Sequence, residues 1–164
     1  MKMFDHAVRF VIPAAYSLLP PKMNSPEATA MLLAIGLQES EFVARKQRGG
    51  GPARGFWQFE RGGGVKGVCQ HRDTRDLLAE ALTVMRYGHI IGNLPELHYA
   101  IEDNDVVACV FARLLLFTLP WPLPTRGEHD KAWLQYTEAW RPGKPHRDTW
   151  DGNFDTGWAR TIID

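Results

Sequence analysis

Residues 28–42 are ATAMLLAIGLQESEF, an apolar segment that ends in two glutamates. Residues 28–37 are almost all apolar or glycine, so a helix formed here has no solvated face and is predicted to be buried. Ser25 and Pro26 come just before it, and a Ser N-cap followed by Pro at the first helical position is a typical helix start. The sequence therefore predicts a central buried helix that begins at Pro26 and ends at Glu39 or Ser40.

Glu39 is the candidate functional group of this helix. It continues the apolar face that contains Leu32 and Ile35, whereas Glu41 points away from that face. A carboxyl group on an apolar face loses hydration, which disfavours its charged form and raises its pKa. A carboxyl that is protonated near neutral pH suits the general acid of glycosidic bond cleavage. The alternative is that Glu39 emerges at the helix end and is solvated, and spacing alone does not separate the two.

The remainder of the chain predicts an all-α fold, or α+β at most. Further helices are expected over residues 5–19, 75–87, 95–101, 106–117 and 130–140. Residues 44–73 are rich in glycine and show no sustained period, so they are predicted to form an irregular lobe or a small hairpin. The aromatic residues of the C-terminal tail, Trp150, Phe154 and Trp158, predict that the tail packs against the domain. At 164 residues, we expect one domain spanning residues 1–164.

Composition narrows the class of protein. The chain has 19 basic and 19 acidic residues, and this balance argues against a nucleic-acid binder. No apolar run reaches the ~18 residues needed to cross a bilayer, and residues 10–19 lack the cleavage site of a signal peptide. Two cysteines make no disulfide framework, and six scattered histidines form no metal-binding motif. We therefore expect a soluble monomer without a signal peptide, metal or cofactor.

Residues 55–60, GFWQFE, supply the side chains expected beside Glu39. Glycine allows close approach of a substrate to the backbone, and aromatic rings such as that of Trp57 suit sugar rings. Gln58 offers both a hydrogen-bond donor and an acceptor. The alternative is that these aromatic residues form a hydrophobic cluster beneath the loop. Arg113, in an otherwise apolar helix, is expected to have a structural role and to pair with a carboxylate or with helix-end carbonyl groups.

Residues 38–42, QESEF, and residues 55–58, GFWQ, together resemble the Glu-Ser and Gly-Leu-Met-Gln motifs of soluble lytic transglycosylases and goose-type lysozymes. The resemblance covers residues 26–60 well and the rest only in helical character. It implies a lysozyme-like fold in which Glu39 is the catalytic acid against peptidoglycan. It also implies that Ser40 and Gln58 orient this acid or bind substrate, with Trp57 as a further substrate-binding candidate.

Tyr136 is a similar case, because lytic transglycosylases place a Tyr from a late helix in the cleft. The spacing of Trp133, Tyr136 and Trp140 puts three rings on one helical face, and such a face usually packs in the core. Both interpretations of Tyr136, substrate binding and core packing, stay open.

Two departures from the family pattern bear on the chemistry. No Ala-Tyr-Asn motif follows, and residues 107–113 occupy the expected helix with VACVFAR. Glu60 stands where goose-type lysozymes have an Asp that positions the attacking water, which favours a hydrolase with Glu60 as base. A lytic transglycosylase needs no such base and remains the alternative, as does an exposed Glu60 paired with Arg61.

The resemblance implies an enzyme that cuts the β-1,4 bond between N-acetylmuramic acid and N-acetylglucosamine. A catalytic domain of this size resembles a bacteriophage endolysin or a virion-associated wall-degrading protein. An endolysin of this kind would stay in the cytoplasm of the infected bacterium until it is released to the periplasm. A non-enzymatic glycan-binding or phage structural protein that keeps the fold is the alternative, and the missing Ala-Tyr-Asn motif favours it.

Overall fold

The computed structural model describes residues 2–161 and has an all-α fold, as predicted. The helices are α1 (Lys2–His6), α2 (Ile12–Ser17), α3 (Pro26–Ser40), α4 (Lys66–Gln70), α5 (Arg75–Val84), α6 (Leu94–Asp103), α7 (Asp105–Phe117), α8 (His129–Trp140) and α9 (Arg147–Ala159). Among these residues no β-strand forms, and the only bridges are the isolated pairs Lys46–Arg54 and Arg54–Phe59.

Helix α3 is the buried central helix that the sequence predicts. The Ser25 hydroxyl accepts a hydrogen bond from the Ala28 amide at 3.1 Å, which caps the helix start. Residues 30–36 are all buried. The helix ends where Glu41 turns into the left-handed region at φ 55°. The Phe42 ring then folds back onto Gly36, where any side chain would collide with it.

Helix α9 packs along α3 and forms the wall behind the central helix. A Cβ atom on Gly157 would lie 2.5 Å from the Ala30 carbonyl oxygen, so only glycine allows the two backbones to approach this closely. Trp150, Phe154 and Trp158 are buried in the core. The prediction that the tail packs against the domain is confirmed, and the tail proves to be a helix.

Helix α7 is the second apolar helix, buried from Val107 to Leu116. Its N-terminus is capped by the Asn104 side chain, which accepts hydrogen bonds from the Val106 and Val107 amides. Arg113 donates from Nε to the Met23 carbonyl oxygen at 2.8 Å, at the end of the 3₁₀ turn Pro21–Met23. The expected structural role of Arg113 toward helix-end carbonyls is therefore confirmed.

The predicted irregular segment 44–73 is only partly irregular. The chain is loop-like through Glu60, but Arg61–Val65 forms a turn, kinked by non-helical backbone angles at Gly63, that leads into α4. The prediction of a loop was wrong here because Val65 and Val68 are completely buried, and this packing overrides the low helix propensity of the glycines.

The N-terminal helix begins earlier than predicted and contains the π-helical turn Ala7–Val11 between α1 and α2. Pro13 lies at the start of α2, just after this turn. Proline has no amide hydrogen and cannot donate the regular hydrogen bond of an α-helix. The π-helical turn before Pro13 changes this hydrogen-bond pattern, so the helix continues past Pro13. No helix among residues 2–161 is long and apolar enough to cross a bilayer.

Candidate active site

A cleft runs past the C-terminal end of α3. It consists of two adjoining parts with volumes of about 640 Å³ and about 860 Å³. Both parts are lined by the same central residues: Gln38, Glu39, Gln47, Gln58 and His146. Glu39 therefore lies in the middle of the cleft, with room for a ligand on either side.

Glu39 is half-buried, and its carboxyl group is held by a side chain from α8. The Tyr136 hydroxyl donates a hydrogen bond to Glu39 Oε1 at 2.6 Å. Burial raises the pKa of Glu39 to about 7, against the opposing effect of the Tyr136 hydrogen bond, and the negative charge of Glu60 raises it further. Glu39 is thus not a freely solvated helix-end carboxylate, and a large fraction of it is protonated at neutral pH.

The ring of Tyr136 lies in the core, as one of its two predicted interpretations requires, while its hydroxyl reaches the cleft. The ring stacks on Trp150 with centroids 4.8 Å apart and planes 9° apart. Burial and the neighbouring Glu39 raise the pKa of Tyr136, so its phenol stays protonated and acts as the donor. The structure therefore shows a direct contact with Glu39, and any contact between Tyr136 and substrate stays a prediction.

Ser40 connects α3 to the loop that follows it. Its hydroxyl donates to the Phe56 carbonyl oxygen at 2.6 Å, lies 3.2 Å from the Gly36 carbonyl and accepts from the Phe42 amide. These contacts occupy the hydroxyl, and the residue is buried. The geometry therefore gives Ser40 a structural role in positioning the Gly55–Glu60 loop, whereas its two expected roles, orienting Glu39 or binding a sugar, stay predictions.

Gln58 projects into the cleft from the tip of this loop. Its backbone is left-handed, at φ 52°, and its Nε2 donates to the Gly55 carbonyl at 2.9 Å. Within the described part of the chain no hydrogen bond reaches Gln58 Oε1, so this atom can accept one from a ligand. Gly55 itself is buried against Ile101 and serves packing, not the close substrate approach expected of it.

The prediction that Trp57 binds substrate disagrees with the structure. Trp57 is 0% exposed, its Nε1 donates to the Leu32 carbonyl at 2.8 Å, and its ring packs edge-on against Phe42. Phe56 and Phe59 are buried as well, so the hydrophobic cluster under the loop is the correct interpretation for all three aromatic residues. Trp57 holds the loop against α3.

Trp140 supplies the aromatic surface that was expected from Trp57. It is half-buried and lines the 640 Å³ part of the cleft, and its Nε1 donates to the Trp57 carbonyl oxygen at 2.8 Å. The sequence placed Trp140 on the helical face of Tyr136 but gave no reason to select it. Its position four residues after Tyr136 is the signal that could have identified it.

Glu60 lies in the same part of the cleft as Glu39 and is exposed. The expected alternative, an ion pair with Arg61, is not observed: no basic group approaches Glu60 within 4 Å in residues 2–161. The 640 Å³ part of the cleft therefore contains one half-buried carboxyl group, that of Glu39, and one exposed acidic side chain, that of Glu60.

Gln38 is a site residue that the sequence did not indicate. Its Nε2 donates to the His146 carbonyl at 2.8 Å, and its Oε1 accepts from Thr149 Oγ1 at 3.1 Å and from Asn153 Nδ2 at 2.9 Å. These hydrogen bonds connect the start of α9 to Gln38, the residue that precedes Glu39. Only its position beside Glu39 could have signalled this role.

No match to a known protein bears on this site, so its chemistry is inferred from its geometry. Neither protein-family models, curated proteins nor solved structures gave a match to this chain. Residues 2–161 contain no group of three or more His, Cys, Asp and Glu side chains that could hold a metal ion. The acidic side chains that line the described cleft are Glu39 in both parts, Glu60 in the 640 Å³ part, and Glu41 and Asp148 in the 860 Å³ part. Tyr136, Gln58 and Trp140 line the 640 Å³ part beside Glu39.

Proposed function

We propose that this protein is a peptidoglycan glycosidase that cleaves the β-1,4 bond between N-acetylmuramic acid and N-acetylglucosamine. The observation that carries the proposal is Glu39, a carboxyl group with a pKa raised to about 7 in the middle of an open cleft. An acid of this strength can donate a proton near neutral pH, and its conjugate base is then stabilised by Tyr136. The resemblance of residues 38–42 and 55–58 to the motifs of peptidoglycan-cleaving enzymes supports peptidoglycan as the glycan.

The contacts of Glu39 indicate which of its oxygen atoms donates the proton. Oε1 accepts the hydrogen bond from Tyr136, so the carboxyl proton resides on Oε2. That proton passes to the glycosidic oxygen as the bond to the anomeric carbon breaks. The carboxylate that forms keeps the Tyr136 hydrogen bond, which is stronger to an anion than to a neutral carboxyl group.

The shape of the cleft suits a polymer. Its two parts extend to either side of Glu39, so sugars can bind on both sides of the bond that is cut. Trp140 offers a ring face in one part, and Gln58 Oε1 can accept a hydrogen bond from an N-acetyl or hydroxyl group. Both residues are proposed to bind the substrate.

Glu60 is proposed as the base that activates water, which makes the enzyme a hydrolase. A second carboxylate in the same cleft, exposed and free of an ion pair among the described residues, can deprotonate a water molecule. A lytic transglycosylase, in which the substrate's own groups replace water, is the alternative mechanism. Products with reducing ends indicate hydrolysis, and 1,6-anhydro ends indicate transglycosylation.

The proposed biological setting is bacteriophage lysis or wall penetration, and it rests on the family resemblance. A non-enzymatic protein that binds glycan with the same fold is the second candidate, favoured by the absence of an Ala-Tyr-Asn motif. It predicts binding to cell walls without cleavage.

The proposal is tested by the loss of turbidity of permeabilised Gram-negative cells. Wild-type protein should lyse the cells, and Glu39→Gln should reduce the rate about a thousandfold, as expected for loss of a general acid. Glu27→Gln is the matched control, because it makes the same substitution at the other end of α3. Equal rates for Glu39→Gln and wild type would refute the assignment, and no lysis by wild type would favour the binding protein.

A further inference from the structure

The connection between α8 and α9 forms one wall of the cleft. Residues Arg141, Pro142, Gly143, Lys144 and His146 line the 640 Å³ part, beside Glu60 and Trp140. Of the five, only His146 also lines the 860 Å³ part, so the charged side chains of Arg141 and Lys144 line the 640 Å³ part alone. This wall therefore distinguishes the two halves of the cleft chemically.

Contacts at its two ends hold this connection in place. Before it, Trp140 Nε1 donates to the Trp57 carbonyl at 2.8 Å, and at its end the His146 carbonyl accepts from Gln38 Nε2 at 2.8 Å. Arg141 itself ends α8 in the left-handed region at φ 48°, a conformation that non-glycine residues seldom adopt. A residue held in a rarely populated conformation beside a cleft is a candidate for a functional role.

Arg141 and Lys144 differ from the other cations of the cleft in lacking an acidic partner. In the 860 Å³ part, Lys46 Nζ lies 3.5 Å from Glu102 Oε1, and Arg48 Nη1 lies 3.6 Å from Glu41 Oε1. No carboxylate lies within 4 Å of Arg141 or Lys144 in residues 2–161, and both side chains are exposed. Two cations without an ion pair are thus concentrated on one side of Glu39, in the part that also contains Glu60.

We infer that Arg141 and Lys144 form a carboxylate-binding subsite that selects glycan strands carrying anionic peptide stems. The inference rests on the proposed function. In an intact strand the N-acetylated sugars are neutral, because the lactyl carboxyl group of muramic acid is amide-linked to the peptide stem, and the free carboxylates lie on the peptides. Arginine binds a carboxylate with two parallel hydrogen bonds, and a neighbouring lysine adds a point charge.

This subsite also fixes the direction of the strand. Because the unpaired cations lie only in the 640 Å³ part, the stem-bearing sugar that they recognise occupies that part, with Glu60 and Trp140. Arg141 and Lys144 are exposed, so water and salt screen the interaction, and the expected effect is moderate and salt-dependent.

The test compares the double variant Arg141→Gln/Lys144→Gln with wild type on two substrates. One is purified peptidoglycan, and the other is the same peptidoglycan with its peptide carboxylates converted to neutral methylamides. On unmodified peptidoglycan, kcat/KM of the variant should fall about tenfold, mainly through KM, and the loss should shrink at high salt. On the amidated peptidoglycan the variant and wild type should be equal, because residues that act on the same group show non-additive effects.

The control is Arg75→Gln/Arg126→Gln, which removes two exposed charges that do not line the cleft and should behave as wild type. An equal loss on both substrates, or no loss on unmodified peptidoglycan, would overturn the subsite. Cosedimentation of the same variants with insoluble peptidoglycan, in a Glu39→Gln background, measures binding without cleavage. An unchanged Kd would overturn the subsite, whereas a weakened Kd with an inactive wild type would preserve it and refute the glycosidase.

Discussion

Tyr136→Phe removes one hydroxyl group and should shift the pH dependence of the proposed glycosidase activity to higher pH. The hydroxyl donates to Glu39 Oε1 at 2.6 Å, and this hydrogen bond lowers the pKa of Glu39, although burial has the larger, opposite effect. Without it, the Glu39 carboxylate loses its donor while the burial of the group persists. The pKa of Glu39 should therefore rise above the value of about 7 that it has in the wild type.

The size of the shift follows from the two protonation states. A hydrogen bond to a charged group is worth roughly 1.5–3 kcal/mol, and one to a neutral group about 1 kcal/mol. The difference, about 0.5–2 kcal/mol, corresponds to roughly one pKa unit. The general acid works only when protonated, so activity is lost as pH rises through this pKa. In Tyr136→Phe the alkaline limb of the pH–rate profile should lie about one unit higher.

The assay is kcat/KM on soluble peptidoglycan fragments between pH 5 and pH 9, because this quantity reports the pKa of the free enzyme. The plateau at low pH should also fall, since the Glu39 carboxylate formed during cleavage is less stabilised. Tyr99→Phe, on the exposed surface of α6, is the matched control and should leave the profile unchanged. An alkaline limb that stays in place, or moves to lower pH, would refute the role given to Tyr136.

Three further changes follow from the same contacts. Glu60→Gln removes a negative charge that raises the pKa of Glu39, so this pKa should fall by less than one unit, as measured by NMR titration of the Glu39 carboxyl carbon, while hydrolysis is lost. Ser40→Ala removes the donor to the Phe56 carbonyl and should lower the free energy of unfolding by roughly 1–3 kcal/mol in urea titrations, with loss of activity as the loop shifts. Gly157→Ala forces a Cβ atom against the Ala30 carbonyl and should cost roughly 1–3 kcal/mol, a fall in Tm of several degrees by calorimetry.

Specific results would contradict the expectations for Glu60→Gln and Ser40→Ala, and Gly157→Ala has a matched control. A higher pKa of Glu39 in Glu60→Gln would contradict the electrostatic coupling, and unchanged hydrolysis would remove Glu60 as the base. A Ser40→Ala variant with wild-type stability would contradict the account of that hydroxyl. Gly152→Ala is the control for α9, because its Cβ would meet nothing and helix propensity should raise Tm slightly.

The fold was largely predictable because its two central helices are continuous apolar segments with clear capping residues. Ser25 and Pro26 mark the start of α3, and Asn104 marks the start of α7. The turn Arg61–Val65 and α4 were missed because glycine-rich sequence carries no helical period, and only the burial of Val65 and Val68 stabilises them.

The site was predictable only where a helix sets the direction of the side chain. Periodicity placed Glu39 on the apolar face of α3, but it cannot say which aromatic ring of an irregular loop faces solvent. Trp57 therefore looked like a sugar-binding residue, although it lies in the core and Trp140 lines the cleft. The contact of Tyr136 with Glu39 joins residues 97 positions apart and depends on tertiary packing that no local pattern contains.

The most direct test of the central claim is mass spectrometry of purified peptidoglycan digested by wild type and by Glu39→Gln. Wild type should release disaccharide-peptides that end in N-acetylmuramic acid, in its reducing or 1,6-anhydro form, and Glu39→Gln should release almost none. Products cut within the peptides, or the same disaccharide-peptides from both proteins, would contradict the assignment of Glu39 as the acid of a peptidoglycan glycosidase.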